Sequence, residues 1–146
     1  MKILLVQPNI ITLGGVTAPP LALLSIAGFI KSKNYEIKII DRNVDFFSYK
    51  QISEYKPDVV GITTITGAML LDAIEISKTL KEKWADKVKI VWGGIHSSLL
   101  PEQTLANPFV DYIVIGEGEH SFYELLETLK SNGDIAKIDG IGYKIN

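Results

Sequence analysis

Apolar residues in this chain concentrate in five short runs, and between those runs they recur every three or four positions. The first run, residues 2–6, is rich in leucine and β-branched residues and stops at Gln7-Pro8-Asn9. A run so short and uniform, ended by proline, predicts a strand buried on both faces. Runs at 35–40, 59–63, 87–92 and 112–115 predict four more strands. Turn-forming or polar residues follow each: Asp41-Arg42-Asn43, Thr63-Thr64-Ile65, Gly93-Gly94 and Gly116-Glu117-Gly118-Glu119.

The intervening stretches read as helices. Pro19-Pro20 opens one, with Pro20 suited to a first turn, and Leu21, Leu24, Ala27 and Ile30 follow at helical spacing. A short helix carrying Phe46, Tyr49 and Ile52 is expected next. A long one is predicted over 68–84, with Leu70, Ile74 and Leu80 on one side. A short helix is expected at 101–106, and a last one near 121–130 buries Phe122, Leu125 and Leu129. Residues 8–19 contain Gly14-Gly15 without a clear period and read as a loop.

Strands alternating with helices in this way predict an α/β fold with helices on both faces of a parallel sheet. Right-handed crossovers make it a flavodoxin-like (Rossmann-like) doubly wound sheet of five strands in the order 2-1-3-4-5. The tail from Ile138 begins another apolar alternation and then stops. The expected organisation is one binding domain over 1–137, with 138–146 starting a linker to a further C-terminal domain.

Composition narrows the function classes. The 146 residues, 47% hydrophobic and 22% charged, suit one globular domain with a sizeable core. A net charge of −2 provides no broad field for nucleic acid or anionic lipid. The chain has no cysteine, which removes disulfides, thiolate metal sites and cysteine nucleophiles. Its start is too short in apolar residues for a signal peptide or a membrane span, so a cytoplasmic location is expected.

In an open parallel sheet, ligands bind beyond the carboxyl ends of the strands. All five predicted ends here are small, polar or glycine-containing, though turns after strands favour such residues anyway. No G-x-G-x-x-G follows the first strand, and Gly116-Glu117-Gly118 follows the last instead. No G-x-x-x-x-G-K-[ST] occurs. The acidic residues of a phospho-receiver and the Ser/Thr-rich phosphate loop of an FMN flavodoxin are both missing after the first strand. His96 and His120 lie in different loops and read as surface or hydrogen-bonding residues, not metal ligands. Glu117 with Glu119, and Asp41 with Asp45, read as solvated turns ahead of helices. The pattern is that of a domain that binds and does not itself catalyse.

Taken in order, Pro19-Pro20-Leu21-Ala22-Leu23-Leu24, Ile40-Asp41, Val60-Gly61-Ile62-Thr63, Gly93-Gly94-Ile95-His96 and Gly116-Glu117-Gly118-Glu119 resemble one family. The chain is similar, from Met1 to about Lys144, to the N-terminal cobalamin-binding domain of class B radical-SAM enzymes. That group includes methyltransferases and the anaerobic magnesium-protoporphyrin monomethyl ester cyclase type. The Gly-Glu-Gly-Glu run followed by Phe122 and Leu125 is the most specific element, with Gly93-Gly94 upstream at family-like spacing.

The resemblance implies cobalamin over the carboxyl edge of the sheet, with its nucleotide tail in a slot. Thr63 and Ile65, flanking Thr64, match an S-x-L element whose hydroxyl donates to the tail while the apolar residue packs on it. Gly93 and Gly94 match paired glycines that leave room for the tail, and Gly116, Glu117 and Gly118 border the slot. Cobalamin folds that replace the cofactor's own base carry a histidine after the first strand. Residues 7–15 have none, so the resemblance implies base-off cobalamin near Gln7, Pro8, Asn9 or Leu13, without that ligand. S-adenosylmethionine and a [4Fe-4S] cluster, which needs three cysteines, are expected only in a C-terminal radical-SAM domain of the same polypeptide. Two other uses of the scaffold stay open: a cofactor-free interaction or regulatory domain, and an FMN or nucleotide binder at the same edge.

Overall fold

The computed structural model describes residues 1–10, 18–45 and 49–145. Each predicted apolar run forms a strand: β1 (Lys2–Gln7), β2 (Glu36–Asp41), β3 (Val59–Thr63), β4 (Lys89–Gly93) and β5 (Tyr112–Val114). These five are parallel, so their carboxyl ends share one edge of the sheet. The helices are α1 (Leu21–Lys31), α2 (Tyr49–Tyr55), α3 (Ala68–Trp84), α4 (Ile95–Leu99), α5 (Pro101–Leu105) and α6 (Gly118–Ser131).

The sheet has six strands, not the five expected, in the order 2-1-3-4-5-6. The sixth, β6 (Ile141–Tyr143), lies within the stretch read as the start of a linker. It pairs antiparallel with β5, Ile141 opposite Val114 and Tyr143 opposite Tyr112. The Ile115 N–H donates to the Gly140 carbonyl at 2.8 Å, which turns the chain into this pairing. The strand was not legible because it is three residues long and has glycine at its centre.

β1 shows why the runs become strands. Ile3, Leu4, Leu5 and Val6 are each at most 1% exposed, with alternate side chains facing opposite layers. One layer packs Leu4, Val6, Ile62 and Trp92 against Ile52 of α2 and Ile76 and Leu80 of α3. The other packs Ile3, Leu5 and Val91 against Leu23 and Ile30 of α1 and Phe122 and Leu125 of α6.

Helix faces depart from the expectation in two places. α1 turns Leu23 and Ile30 inward, whereas Leu21 and Leu24 are 71% and 47% exposed. Its sequence is apolar nearly all round, so spacing did not single out a face, and contact with β1, β2 and α6 decides it. In α3, Met69, Ala73, Ile76, Ser77 and Leu80 are the buried positions, while Ile74 faces outward. Helix α4 was not anticipated, and α6 starts three residues earlier than expected. Gly118 and Glu119 therefore lie in its first turn and not in a loop.

Candidate functional site: a cleft at the carboxyl edge

Beyond the ends of β3, β4 and β5 the sheet edge opens into a cleft between α1 and α6. Its floor follows from strand register. Leu5, Gly61 and Val91 sit side by side on β1, β3 and β4. Glycine in the middle of that row lets the Leu5 and Phe122 side chains approach the strand backbone closely. A Cβ on Gly61 would lie 2.8 Å from Leu5 Cδ2 and 3.5 Å from Phe122 Cζ. The walls are Leu23 and Ile26 from α1, and Val114 and Phe122 from β5 and α6.

The mouth is built by the strand ends. Thr63 closes β3, and Gly94 follows β4 with φ of +93°, a conformation that side-chain-bearing residues adopt only with strain. A Cβ on Gly94 would also meet the Thr64 carbonyl oxygen at 2.7 Å and Thr63 Oγ1 at 3.0 Å. Glycine is therefore required there for both space and conformation. Gly116, Glu117 and Gly118 turn β5 into α6 along the opposite rim. Glu119 stands in the first turn of α6, where the Ser25 hydroxyl of α1 donates to its carboxylate. That contact, followed by backbone N–H groups, holds its carboxyl below the usual range.

Six of the sequence candidates thus meet around one cleft: Thr63, Gly93, Gly94, Gly116, Glu117 and Gly118. The others stand elsewhere. Thr64 is fully buried; its hydroxyl donates to the Gly93 carbonyl at 2.9 Å and pairs with Ser97 Oγ at 3.1 Å, tying β3 to β4 and α4. Ile65 is 46% exposed and outside the cleft lining. Gln7, Pro8 and Asn9 end β1 on the adjoining part of the edge, and Leu13 lies outside the described residues.

Around Pro8 and Asn9 the structure shows a polar network. Asp72 of α3 accepts from the Asn9 N–H at 2.6 Å and pairs with Arg42 Nη2 at 2.8 Å, and Asn43 accepts from the Ile10 N–H at 2.7 Å. Asp41, expected in a solvated turn, is instead only 7% exposed and accepts from the Asn43 backbone and side chain. His96 is 5% exposed, with Nδ1 3.0 Å from Thr66 Oγ1, and His120 packs on Phe29. Among the described residues, no three His, Asp or Glu side chains converge to hold a metal.

Sequence reasoning missed Gly61 as the floor and the side chains of Leu23, Ile26, Val114 and Phe122 as walls. Glycine inside a strand was the available signal. The arrangement can hold a flat, mostly apolar group deep in the cleft while hydroxyl, carboxylate and backbone groups meet polar parts at the mouth.

Fold and site together define a Rossmann-like ligand-binding domain with an apolar slot at its sheet edge. A sequence model of the B12 binding domain matches residues 8–126, and the chain belongs to that family. It is 37% identical over its whole length to an uncharacterized methyltransferase of Pyrococcus horikoshii, covering 33% of that protein. It is 32% identical to the anaerobic magnesium-protoporphyrin IX monomethyl ester cyclase of Rubrivivax gelatinosus, with 98% of this chain and 28% of the cyclase aligned. The chain therefore spans about a third or less of these curated relatives.

Among solved structures, the fold matches the cobalamin-dependent S-adenosylmethionine radical enzyme OxsB with aqua-cobalamin and S-adenosylmethionine bound. That match has a TM-score of 0.82 at 21% identity over 97% of this chain and 20% of OxsB. The radical S-adenosylmethionine methyltransferase TsrM of Kitasatospora setae, with cobalamin and a [4Fe-4S] cluster bound, matches with a TM-score of 0.79. Its identity is 24% over 99% of this chain and 29% of TsrM. Among the described residues no helix is long and apolar enough to cross a membrane.

Proposed function

We propose that this domain holds base-off cobalamin over the carboxyl edge of its sheet, with the nucleotide tail in the cleft, for a radical-SAM catalytic unit of the same polypeptide. The observation that carries this reading is the cleft itself, floored by Gly61 and entered past Gly94, in a member of the B12-binding family. The lining fits the group, since Gly93, Gly94 and Gly116 leave the mouth free of side chains while Leu23, Ile26, Val114 and Phe122 offer an apolar wall.

Thr63 is the hydroxyl donor at the entrance, and Gly93, Gly94 and Gly116 keep that entrance open. Phe122 and Val114 press on the tail from the α6 side, while Glu117 and Glu119 accept hydrogen bonds at the rim. Gln7, Pro8 and Asn9, whose loop start is held by Asp72 and Asn43, would stand beside the corrin. Bound cobalamin supplies a cobalt centre able to carry a methyl group. S-adenosylmethionine and the iron–sulfur cluster belong to the catalytic unit, which follows β6 in the chain.

Titration with hydroxocobalamin, desalting and visible absorption test the reading. Retained cofactor with a base-off spectrum is expected. Gly94→Leu should abolish retention and Thr63→Val should weaken it. Absence of retention by the full-length gene product overturns the proposal.

A further inference from the structure

We propose that the cleft selects among corrinoids by the base of the nucleotide tail, accepting an apolar methylated benzimidazole over a purine. This rests on the corrinoid-binding reading above and adds a specificity to it. Depth within the cleft sorts its chemistry. The polar side chains of the lining, Thr63, Glu117 and Glu119, all stand at strand ends or in the first turn of α6, at the mouth. Deeper, the side chains are hydrocarbon: Leu5, Leu23, Val91, Val114 and Phe122 are each at most 5% exposed. Ile26 of α1 completes that wall.

The floor offers little more to a polar base. Gly61 is paired on both sides, with Leu5 and with Val91, so its backbone groups are engaged by the sheet ladders. A methylated benzimidazole presents carbon edges to such a wall and gains from leaving water. A purine brings an exocyclic amine and additional ring nitrogens, whose hydrogen bonds to water would be lost without replacement. The sugar that precedes the base in either tail would remain at the mouth, beside Thr63 and Glu119.

The pairing of apolar depth with a polar mouth also says where selectivity can be altered. Val114 is buried in the wall of β5, and Val114→Thr places a hydroxyl there, a hydrogen-bonding partner where the wall otherwise has none.

The experiment compares dissociation constants of the protein for three probes by visible titration: cobalamin, a corrinoid with an adenine tail, and cobinamide, which lacks the nucleotide. We expect cobalamin to bind on the order of ten- to a hundredfold tighter than the adenine form, the discrimination an apolar pocket shows against added polar groups. Val114→Thr should narrow that ratio, with its circular dichroism unchanged. Equal binding of cobalamin and the adenine form would overturn the selectivity while leaving the corrinoid site in place. Binding of none of the three would overturn the corrinoid reading itself.

Discussion

Two neighbouring rows of the same sheet, one residue apart along the strands, face opposite layers and have opposite contents. On the α1 and α6 side the row is Leu5, Gly61 and Val91; on the α3 side it is Val6, Ile62 and Trp92. The first row has a glycine at its centre and forms the floor of the cleft. In the second, the largest side chain of the core closes the layer, with Trp92 Nε1 donating to Ser77 Oγ at 2.9 Å and Ser77 donating to the Ala73 carbonyl at 2.7 Å. The backbone is the same in both cases. What separates a filled core layer from a binding cleft is the residue standing at one level of the sheet.

The contrast breaks most sharply at Trp92. Trp92→Ala removes a side chain that is 2% exposed and should cost about 3–5 kcal/mol, read as a lower denaturant midpoint with an unchanged m-value. Enough folded protein should survive in stabilising buffer to show near-normal cobalamin retention, because Trp92 lines the other face. Gly61→Ala makes the converse test. The added methyl meets Leu5 Cδ2 at 2.8 Å, so the Leu5 side chain at the cleft floor must shift. Crowding of this kind costs about 1–3 kcal/mol, partly offset by removing a glycine from a strand interior, worth about 0.5–1 kcal/mol. The net loss of stability should therefore lie between about 0 and 2.5 kcal/mol. Cobalamin retention should fall by about tenfold, the equivalent of about 1.4 kcal/mol, while cobinamide affinity stays put. If Gly61→Ala leaves retention unchanged, the cleft is not where the tail sits.

Much of this contrast was readable in advance and part was not, for identifiable reasons. Strand β1, buried on both faces, announces itself as an unbroken apolar run over residues 3–6, and the amphipathic α3 spans the predicted 68–84. Gly93, Gly94 and Gly116 were legible because glycine after a strand is a local signal. Gly61 was quoted in the family pattern, but its role depends on which residues of β1 and β4 lie beside it. That register is long-range information. The threonine pair shows the same limit at finer scale. Thr63 reaches the cleft and Thr64 is buried in the brace to Ser97, a choice set by the pleat of β3 that composition cannot reveal. Strand β6 and helix α4 escaped notice because three and five residues are too few to establish a period.

The smallest expected effect lies at the other end of the sheet, away from the cleft. Tyr55 of α2 points its hydroxyl at the carbonyls of Ile3 and Glu36, at 3.1 and 3.0 Å, and so ties α2 to the starts of β1 and β2. Burial first, and then the nearby Glu36 carboxylate, push its phenol up to about 12. The folded state thus prefers the protonated phenol more than the unfolded chain does. Its contribution is complete below about pH 10, the ordinary tyrosine value, and fades as pH rises through about 12. The hydrogen bond is partly open to solvent, which limits its worth to about 1 kcal/mol or less. Denaturant midpoints measured between neutral and alkaline pH should therefore fall for the parent chain. Tyr55→Phe should start slightly lower at neutral pH and show a shallower alkaline decline. Cobalamin retention at neutral pH should be the same in both, since a carboxyl-edge site does not depend on a tie at the amino edge. A loss of retention in Tyr55→Phe would mean that the two ends of the sheet are coupled through β1.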